Sequence, residues 1–318
     1  MHRFVAHRFV SSLITMALAS IVVFLSIHLL PGDPVVMVLG EQAGADPMAV
    51  ARVRAELGLD LPLPTQFVRW ASAVLHGDLG HSLRSGEPVV AELARRIPRS
   101  LEIIFGGLVA AVVFGIPLGT IAARDRGRVS GLIASIVAIA GFSAPVFVSG
   151  IILVLIFSLW LGLLPSSGYV ALDDDPLTHF ACLVLPCVAI GINFMGVVAR
   201  MTRSSLIDTL SKDYVRMARA KGLTRGQAMT RHALPNALVP VIAIVGIRAG
   251  NLLGGTVIVE ALFDWPGLSS LLVSACFARD YPVMQGCLLS IFAIFIVISL
   301  LIDIAQSIVD PRVRTGTK

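Results

Sequence analysis

The hydrophobic positions of this chain fall into six long, nearly uninterrupted runs. The runs are Phe9–Leu30, Leu101–Ala123, Leu132–Leu164, Leu177–Ala199, Ala237–Val259 and Val283–Ile308. A helix of about 20 apolar residues crosses the hydrocarbon core of a bilayer, which is about 30 Å thick. The pattern therefore predicts an all-α membrane protein with six transmembrane helices. The third run is too long for one upright span, and Pro145 predicts a kink within it. The first run ends in Leu30-Pro31-Gly32-Asp33-Pro34 without a cleavage site of small residues, so we expect an uncleaved first span.

Composition agrees with this pattern and excludes a soluble globular protein. Hydrophobic residues make up 56% of the chain, only 14% of residues are charged, and the mean hydropathy is +0.87. Soluble proteins carry about 25% charged residues. The net charge of +5 does not indicate a nucleic-acid partner, because the basic residues concentrate in short loops. The four cysteines lack the spacing of a zinc site and are expected to be small apolar fillers, so we expect no metal site.

The distribution of Lys and Arg predicts how the chain is oriented. With both termini in the cytoplasm, 16 of the 25 basic residues lie on the cytoplasmic side, eight of them between Arg200 and Arg231. Positively charged loops remain in the cytoplasm. We therefore expect a multi-pass membrane protein with both termini in the cytoplasm. Its segments are a cytoplasmic terminus with the first span (1–30), an external subdomain (31–98), a five-helix region (99–309) that includes a cytoplasmic loop (200–235), and a cytoplasmic tail (310–318).

The cytoplasmic loop has the pattern of a rigid helix–glycine–helix unit. Apolar residues recur at helical spacing from Leu206 to Met217, and Gly222 is placed to end this helix in the left-handed conformation. Thr224, with Gln227 three residues later, is a capping-box signature for a second short helix. Pro235 is expected to halt that helix near the membrane. A rigid unit of this kind suits a protein that receives mechanical force from a partner.

Motifs in this loop resemble those of the membrane subunits of ABC importers. Their loop motif is Glu-Ala-Ala, three residues, Gly, nine residues, Ile, one residue, Leu-Pro. Here Ala218, Gly222 and Leu234-Pro235 match it, whereas Arg216 replaces the Glu, Met217 the first Ala and His232 the Ile. Segments along nearly the whole chain are similar to the peptide/nickel branch, and most of all to the B-type permeases of dipeptide and oligopeptide importers. They are Leu30–Pro34, Gly77–Gly80 with Ser82, Arg96–Leu101, Asp213–Leu223, Val259–Leu268, Arg279–Val283 and Asp310–Arg312.

This resemblance implies a type I ABC importer permease fold in the cytoplasmic membrane of a prokaryote, and it implies an assembly. A second, similar permease, two cytoplasmic ATPases or one fused ATPase, and an external substrate-binding protein would complete the importer. ATP and Mg²⁺ would be bound by the ATPase subunits, so no cofactor is expected in this chain. The resemblance assigns ATPase coupling to the loop, at Tyr214, Arg216, Ala218, Lys221, Gly222, Leu234 and Pro235. Because Arg216 departs from the motif's Glu, a salt bridge at that position is not assumed. The alternative is a solvated basic loop.

Polar residues in and beside the spans are candidates for the translocation pathway. Arg248 lies near the middle of the fifth apolar run, where an arginine needs water, a carboxylate or a carbonyl. Arg248 and Asn251 are expected to face the pathway, while Gly246, Gly250 and Gly254 form a ridge for helix packing. The alternative for Arg248 is a structural ion pair with a partner subunit or with Glu102. By resemblance, Glu260 lies near the outer gate; the alternative for Glu260 is a solvated carboxylate at the membrane edge.

Other functional classes have less support in the sequence. The chain has no GxxxxGK[ST] phosphate loop, and no catalytic constellation is apparent, so we do not expect an enzyme. A self-sufficient secondary transporter or channel is the alternative from another class, but such transporters usually carry carboxylates within their spans. The expected cargo is a dipeptide or oligopeptide. A nickel chelate or haem remains open within the same branch.

Overall fold

The computed structural model describes residues 2–29, 48, 50–51, 54 and 60–309. For some of these residues only the backbone is described: 2–7, 27–29, 247–251, 253–255, 303 and 305–309. The principal helices of the described residues are α1 (His2–Leu29), α2 (Leu63–Leu75), α3 (Val89–Arg124), α4 (Val129–Ser143), α5 (Val146–Leu153), α6 (Pro176–Leu210), α7 (Asp213–Ala220), α8 (Arg225–Ala228), α9 (Leu234–Gly255), α10 (Val257–Leu262), α11 (Leu268–Ala278) and α12 (Tyr281–Val309). Two π-helical segments, Val154–Trp160 and Met229–Ala233, extend α5 and α8. The motifs at Leu30–Pro34 and Asp310–Arg312, and the first part of the predicted external subdomain apart from 48, 50–51 and 54, lie outside the described residues.

The helices confirm the predicted membrane class. Within the described residues, five helices are long and apolar enough to cross a bilayer, and a bent helix pair gives a sixth span if it counts as one. The bent pair is α4 with α5 and its π-helical extension, broken by 108°. The break confirms the kink predicted at Pro145, which begins the second helix and forces Ala144 into an extended conformation with ψ 130°.

One helix boundary differs from the hydrophobic pattern. Helix α3 begins at Val89, well before the apolar run that starts at Leu101, and it contains Pro98. The extra turns are held because Val89 and Leu93 are buried among apolar side chains of α11 and α12. Part of the segment predicted as an external connection is therefore an extension of the second span's helix.

The chain divides into two units, each described by itself. The first unit contains Ser100–Trp265 and the chain from Ile298, and the second contains His2–Arg99 and Pro266–Val297. In the first unit, α6 is the central helix, packed against α3, α4, α5 and α9. Glycines permit this close packing: a Cβ on Gly196 of α6 would lie 2.3 Å from the carbonyl oxygen of Ala138 in α4.

Apolar side chains remain exposed on the outward surfaces of several helices, as a membrane environment requires. Helix α4 exposes Leu132, Ile133, Ile136 and Ile139, and α1 exposes Leu13, Leu18 and Val22. Contiguous apolar surface of this extent is unusual on a soluble monomer. Lipid or another apolar partner must cover these faces.

The second unit joins two motifs that are far apart in the sequence. The buried carboxylate of Asp280 accepts hydrogen bonds from the hydroxyl of Ser82 at 2.5 Å and from the backbone N–H of Leu83 at 3.2 Å. The Gly77–Gly80 and Arg279–Val283 segments are thereby held together. Elsewhere in this unit, α2 packs on α1 through Phe67 and Trp70, whose rings lie 5.4 and 5.7 Å from that of Phe24.

Candidate coupling and translocation sites

The predicted coupling loop begins with a break that the sequence pattern did not show. One continuous helix was expected from Leu206 to Gly222, but α6 ends at Leu210 and α7 begins at Asp213. At the end of α6, the backbone N–H and the hydroxyl of Ser211 both donate to the carbonyl oxygen of Asp208. Lys212, the next residue, is extended, with ψ 147°. Apolar spacing carries across such a break because α7 resumes on the same buried cluster. The prediction of a single helix is therefore wrong.

Helix α7 is anchored by one face and presents the other. Val215 and Ala218 are buried, with 1% and 8% exposure, and Val215 belongs to a cluster that includes Leu206, Ala228 and Met229. On the outer face, Tyr214 is 45% exposed and Met217 is 60% exposed. Arg216, Arg219 and Lys221 are also exposed, and Arg216 pairs with Asp213 at 3.6 Å. Large apolar and basic groups thus project from a helix that its small residues fix to the protein.

Gly222 ends α7 in the left-handed conformation, as predicted, with φ +96°. The backbone N–H of Gly222 donates to the carbonyl of Arg219 at 3.0 Å, and that of Leu223 donates to the carbonyl of Ala218 at 3.4 Å. These two bonds make a Schellman motif. A Cβ at Gly222 would meet nothing within 4 Å, so the glycine is required by backbone conformation and not by crowding.

The second helix of the loop starts as predicted but does not end where predicted. Thr224 and Gln227 form the capping box, with the N–H of Gln227 donating to Thr224 Oγ1 at 3.3 Å and the N–H of Thr224 donating to Gln227 Oε1 at 3.1 Å. Pro235 does not halt this helix. The helical path continues through the π-helical segment into α9, where Pro235 stands in the first turn. Proline is tolerated there because a first-turn N–H needs no helical partner.

The predicted coupling residues therefore divide into two groups. Ala218 is buried and Leu234 packs against the buried cluster, whereas Tyr214, Arg216, Lys221, Gly222 and Pro235 lie on the surface. In the described part of the chain, the one ion pair of these exposed side chains is that of Arg216 with Asp213. The geometry fits a docking element, with a rigid base and a free outer face.

Glu260 lies in a buried polar cluster, so its interpretation as a solvated edge residue is wrong. Its side chain is 1% exposed. Glu260 Oε1 accepts hydrogen bonds from Ser100 Oγ at 2.7 Å and from Thr256 Oγ1 at 3.2 Å, and both donors are buried. A buried carboxylate is tolerated when such donors compensate for its lost hydration. The short helix α10 and the start of the apolar part of α3 are tied together by this carboxylate.

Glu102, the second carboxylate candidate, faces a buried histidine. Glu102 Oε2 lies 3.8 Å from Nε2 of His179, whose side chain is 3% exposed. The other ring nitrogen, Nδ1, is 2.8 Å from the carbonyl oxygen of Val170. Because a carbonyl only accepts, Nδ1 carries a proton, and Nε2 is the nitrogen that faces the carboxylate. The structure thus places the Glu102 carboxylate beside the His179 ring.

Trp265 packs against His179 beside Glu102. The ring of Trp265 lies 5.8 Å from that of His179 and 4.9 Å from that of Tyr169, and the backbone N–H of Trp265 donates to the backbone carbonyl of Glu260 at 2.8 Å. The sequence analysis did not single out His179. A histidine four residues after a potential N-cap aspartate, at the start of an apolar helix, was the available signal.

The N-cap that positions His179 is well formed. Asp175 accepts hydrogen bonds from the hydroxyl of Thr178 at 2.6 Å and from the backbone N–H groups of Leu177 and Thr178 at 3.0 and 3.2 Å. These bonds lower the pKa of Asp175 because they stabilise its ionised form, and the bond from the Thr178 hydroxyl has the largest effect. The Asp173–Asp175 run is exposed, and its last residue is the N-cap of α6.

Arg248 and Asn251 lie in α9, but their side chains are outside the described residues. The predicted glycine ridge is described only at Gly246, where an added Cβ would lie 2.6 Å from a methyl carbon of Ile302 in α12. A helix therefore does pack closely at that point of the ridge, within the first unit. The roles of Arg248 and Asn251 remain predictions.

Comparison with protein families places nearly the whole chain in one class. Residues 115–315 match the model of the binding-protein-dependent transport system inner membrane component family, and residues 1–104 match that of the N-terminal region of the same membrane components. The chain therefore belongs to this family of permease subunits of ABC importers. It is a multi-pass protein of the bacterial inner membrane.

Individual relatives extend over almost the full length. The chain is 39% identical to the dipeptide transport system permease protein of Escherichia coli (strain K12), over 93% of this chain and 94% of the relative. It is 40% identical to the glutathione transport system permease protein of Salmonella paratyphi A, over 99% of both chains. A probable peptide ABC transporter permease of Sinorhizobium fredii is 38% identical, over 98% of this chain and 99% of the relative.

Solved structures show the same fold at low sequence identity. An inward-facing structure of the MetNI methionine ABC transporter matches with a TM-score of 0.54 and 19% identity, covering 71% of this chain and 97% of the matched chain. An amino acid ABC transporter crystallised with histidines matches with a TM-score of 0.50 and 17% identity, over 76% and 98%. The importer permease fold expected from the resemblance is therefore confirmed.

Proposed function

We propose, on the premise of this family membership, that the chain forms half of the translocation pathway of an ATP-driven importer of small peptides. The relatives named for dipeptide, glutathione and peptide transport support this cargo. The pathway's other half is a second, similar permease. Two ATPase subunits, or one fused ATPase, bind ATP and Mg²⁺, and an external binding protein delivers the cargo.

The orientation that we propose has both termini and the α7–α8 loop in the cytoplasm. The excess of basic residues between Arg200 and Arg231 supports it, because such loops remain on the cytoplasmic side. In this orientation α7 meets the ATPase, while α10 and the Glu102–His179 pair lie toward the outside. Fusing a reporter enzyme after residue 318, active only in one compartment, tests the assignment of the carboxyl terminus.

The single observation that carries the coupling role is the exposed outer face of the anchored helix α7. Tyr214 and Met217 project from a helix that is fixed through Val215 and Ala218. Such a surface resembles the centre of a protein interface, where an aromatic or Met anchor is desolvated by the partner and charged groups surround it. ATP-driven closure of the ATPase would then move the helix as a rigid body.

Substitutions on the outer face test this role. Tyr214→Ala and Met217→Asp are expected to leave insertion into the membrane and binding of the second permease unchanged, since neither side chain contributes to the buried cluster. Both are expected to lower the amount of ATPase that copurifies and the ATPase activity stimulated by loaded binding protein. Arg231→Gln, which changes an exposed residue of the adjoining π-helical segment, is the control. Normal stimulated activity in Tyr214→Ala and Met217→Asp would contradict the coupling proposal.

We further propose that Arg248 and Asn251 line the pathway, where the guanidinium of Arg248 would bind a cargo carboxylate. Glu102 and Glu260 belong to the outer end of the same pathway in this proposal. An Arg248→Gln importer is expected to lose uptake of peptides with a free carboxyl terminus more than of their amides. Equal uptake of both by a stable, active variant would remove Arg248 from cargo recognition.

A further inference from the structure

An open cleft in the first unit lies between α3, α4 and α6. The volume of this cleft is about 180 Å³. The walls are mostly small or apolar residues, among them Ala122, Ala134, Ala138, Phe142 and Gly196, with Ser135 between them. Because the groove lies within the apolar parts of three helices, it faces the hydrocarbon region of a bilayer. A slender apolar chain fits such a groove better than a bulky group does.

A second cavity of about 500 Å³ adjoins this cleft and is basic. Ala122, Ser135 and Arg203 line both, while Arg126 and Arg128 line the second one only. Arg200 belongs to the cleft, where its guanidinium lies 5.5 Å from the centre of the Phe142 ring. The pair of cavities is therefore apolar at one end and positively charged at the other.

Most of the arginines that line these two cavities have no carboxylate partner among the described residues. In the described part of the chain, no carboxylate lies within ion-pair distance of Arg126, Arg200 or Arg203. The nearby carboxylate of Asp125 interacts with Arg124 at 3.6 Å, with Arg128 at 4.0 Å and with the hydroxyl of Ser130 at 2.8 Å. Three guanidinium groups are thus left for an external anion.

The arginines lie at the depth of lipid headgroups. The apolar run of α3 ends at Ala123 and that of α6 ends at Ala199, so the charged residues follow directly after the hydrophobic part of each span. Lys and Arg at such positions reach the membrane interface. Basic pockets between transmembrane helices on the cytoplasmic side are suited to anionic lipid headgroups.

We propose that this double cavity binds an anionic phospholipid. One acyl chain lies in the cleft along Ala134 and Ala138, and the phosphate is held by Arg126, Arg200 and Arg203 through charge-assisted hydrogen bonds. Free phosphate would gain nothing from the apolar wall, and a zwitterionic lipid would leave the excess positive charge unbalanced. The site is separate from the coupling face of α7 and from the cluster around Glu260.

Native mass spectrometry of the whole importer tests the site. The complex is extracted from nanodiscs containing phosphatidylglycerol and phosphatidylcholine with identical acyl chains, and the retained lipids are counted. Arg126→Gln and Arg203→Gln are each expected to lower phosphatidylglycerol retention about fivefold, the equivalent of about 1 kcal/mol per basic residue, and to leave phosphatidylcholine unchanged. Ser135→Phe, which fills the cleft, is expected to reduce retention of both lipids.

Matched variants control for general effects. Arg69→Gln removes an exposed arginine of α2, and Ile133→Phe enlarges an exposed side chain of α4 that lines neither cavity. Both are expected to retain lipid as the unmodified importer does. Unchanged phosphatidylglycerol retention in the two arginine variants would overturn the proposal. Loss of the second permease from Ser135→Phe would instead make the cleft a subunit interface, and displacement of the lipid by inorganic phosphate alone would make it a phosphate site.

Discussion

Replacing Gly222 by alanine isolates the contribution of one backbone conformation to the coupling loop. Gly222 has φ +96°, and a Cβ at this position would meet nothing within 4 Å. The substitution therefore adds no steric clash with neighbouring residues. Its cost is that of holding an L-residue in the left-handed region, about 1–2 kcal/mol. A cost of that size raises the population of the opened turn by a factor of about 5–30.

Hydrogen exchange measures this population directly. The backbone N–H groups of Gly222 and Leu223 make the two bonds of the Schellman motif, to the carbonyls of Arg219 and Ala218. Opening of the turn exposes these amides to solvent. In the nanodisc-embedded importer without nucleotide, Gly222→Ala is expected to speed exchange at these two positions by about the same 5- to 30-fold, which follows from the conformational cost. ATPase activity stimulated by loaded binding protein is expected to fall as the turn loosens.

Gly226 supplies the matched control. It lies four residues further on, in the short helix α8, and a Cβ there would also meet nothing within 4 Å, but its φ is not positive. Gly226→Ala is expected to be neutral or to stabilise the helix by about 0.5–1 kcal/mol, because alanine restricts the unfolded chain. The exchange rates in Gly222→Asn are expected to fall between those of the unmodified chain and those of Gly222→Ala, since asparagine tolerates the left-handed region. Equal exchange rates in both alanine variants would refute the reasoning from backbone conformation.

Four further substitutions test other parts of the structure. Ser100→Ala removes the 2.7 Å hydrogen bond to the buried side chain of Glu260 and is expected to cost about 1–3 kcal/mol in thermal unfolding; an unchanged midpoint would argue that this bond does not stabilise the fold. Asp280→Ala leaves the Ser82 hydroxyl and the Leu83 N–H without this acceptor and is expected to lower the unfolding midpoint, whereas Asp174→Ala, in an exposed loop, is not. Gly196→Ala places a methyl group against the carbonyl of Ala138 and is expected to destabilise by about 1–3 kcal/mol. The lowered pKa of Asp175 stabilises the fold above the ordinary carboxyl pKa of about 4, and this contribution is lost as the pH falls through the lowered value. The stability deficit of Asp175→Ala is accordingly expected to be present at pH 7 and to shrink in acid, as unfolding followed at both pH values would show.

Local signals in the sequence were sufficient for several features of the loop and the spans. The left-handed cap at Gly222, the capping box of Thr224 with Gln227, and the kink at Pro145 each depend on one or two residues whose chemistry restricts the nearby backbone. The number and class of the spans followed from the length of the apolar runs, because the thickness of a bilayer fixes the length of a crossing helix.

Features that depend on packing were not accessible from the same signals. The break at Ser211 was missed because α7 resumes on the same buried cluster, so the apolar spacing continued across it. Pro235 was taken as a helix end because proline stops a helix in its interior, but the π-helical segment before it places it in a first turn.

The sequence alone determined that this protein crosses a membrane through long apolar helices and that Gly222 caps a helix of its basic loop, since run lengths and capping residues act over short distances along the chain. The tertiary structure decided which polar groups are buried together. Glu260 looks in sequence like a carboxylate at a membrane edge, yet it is enclosed by Ser100 and Thr256, and His179 is brought to Glu102. A residue's burial depends on what distant segments place around it, and one linear pattern does not contain that information.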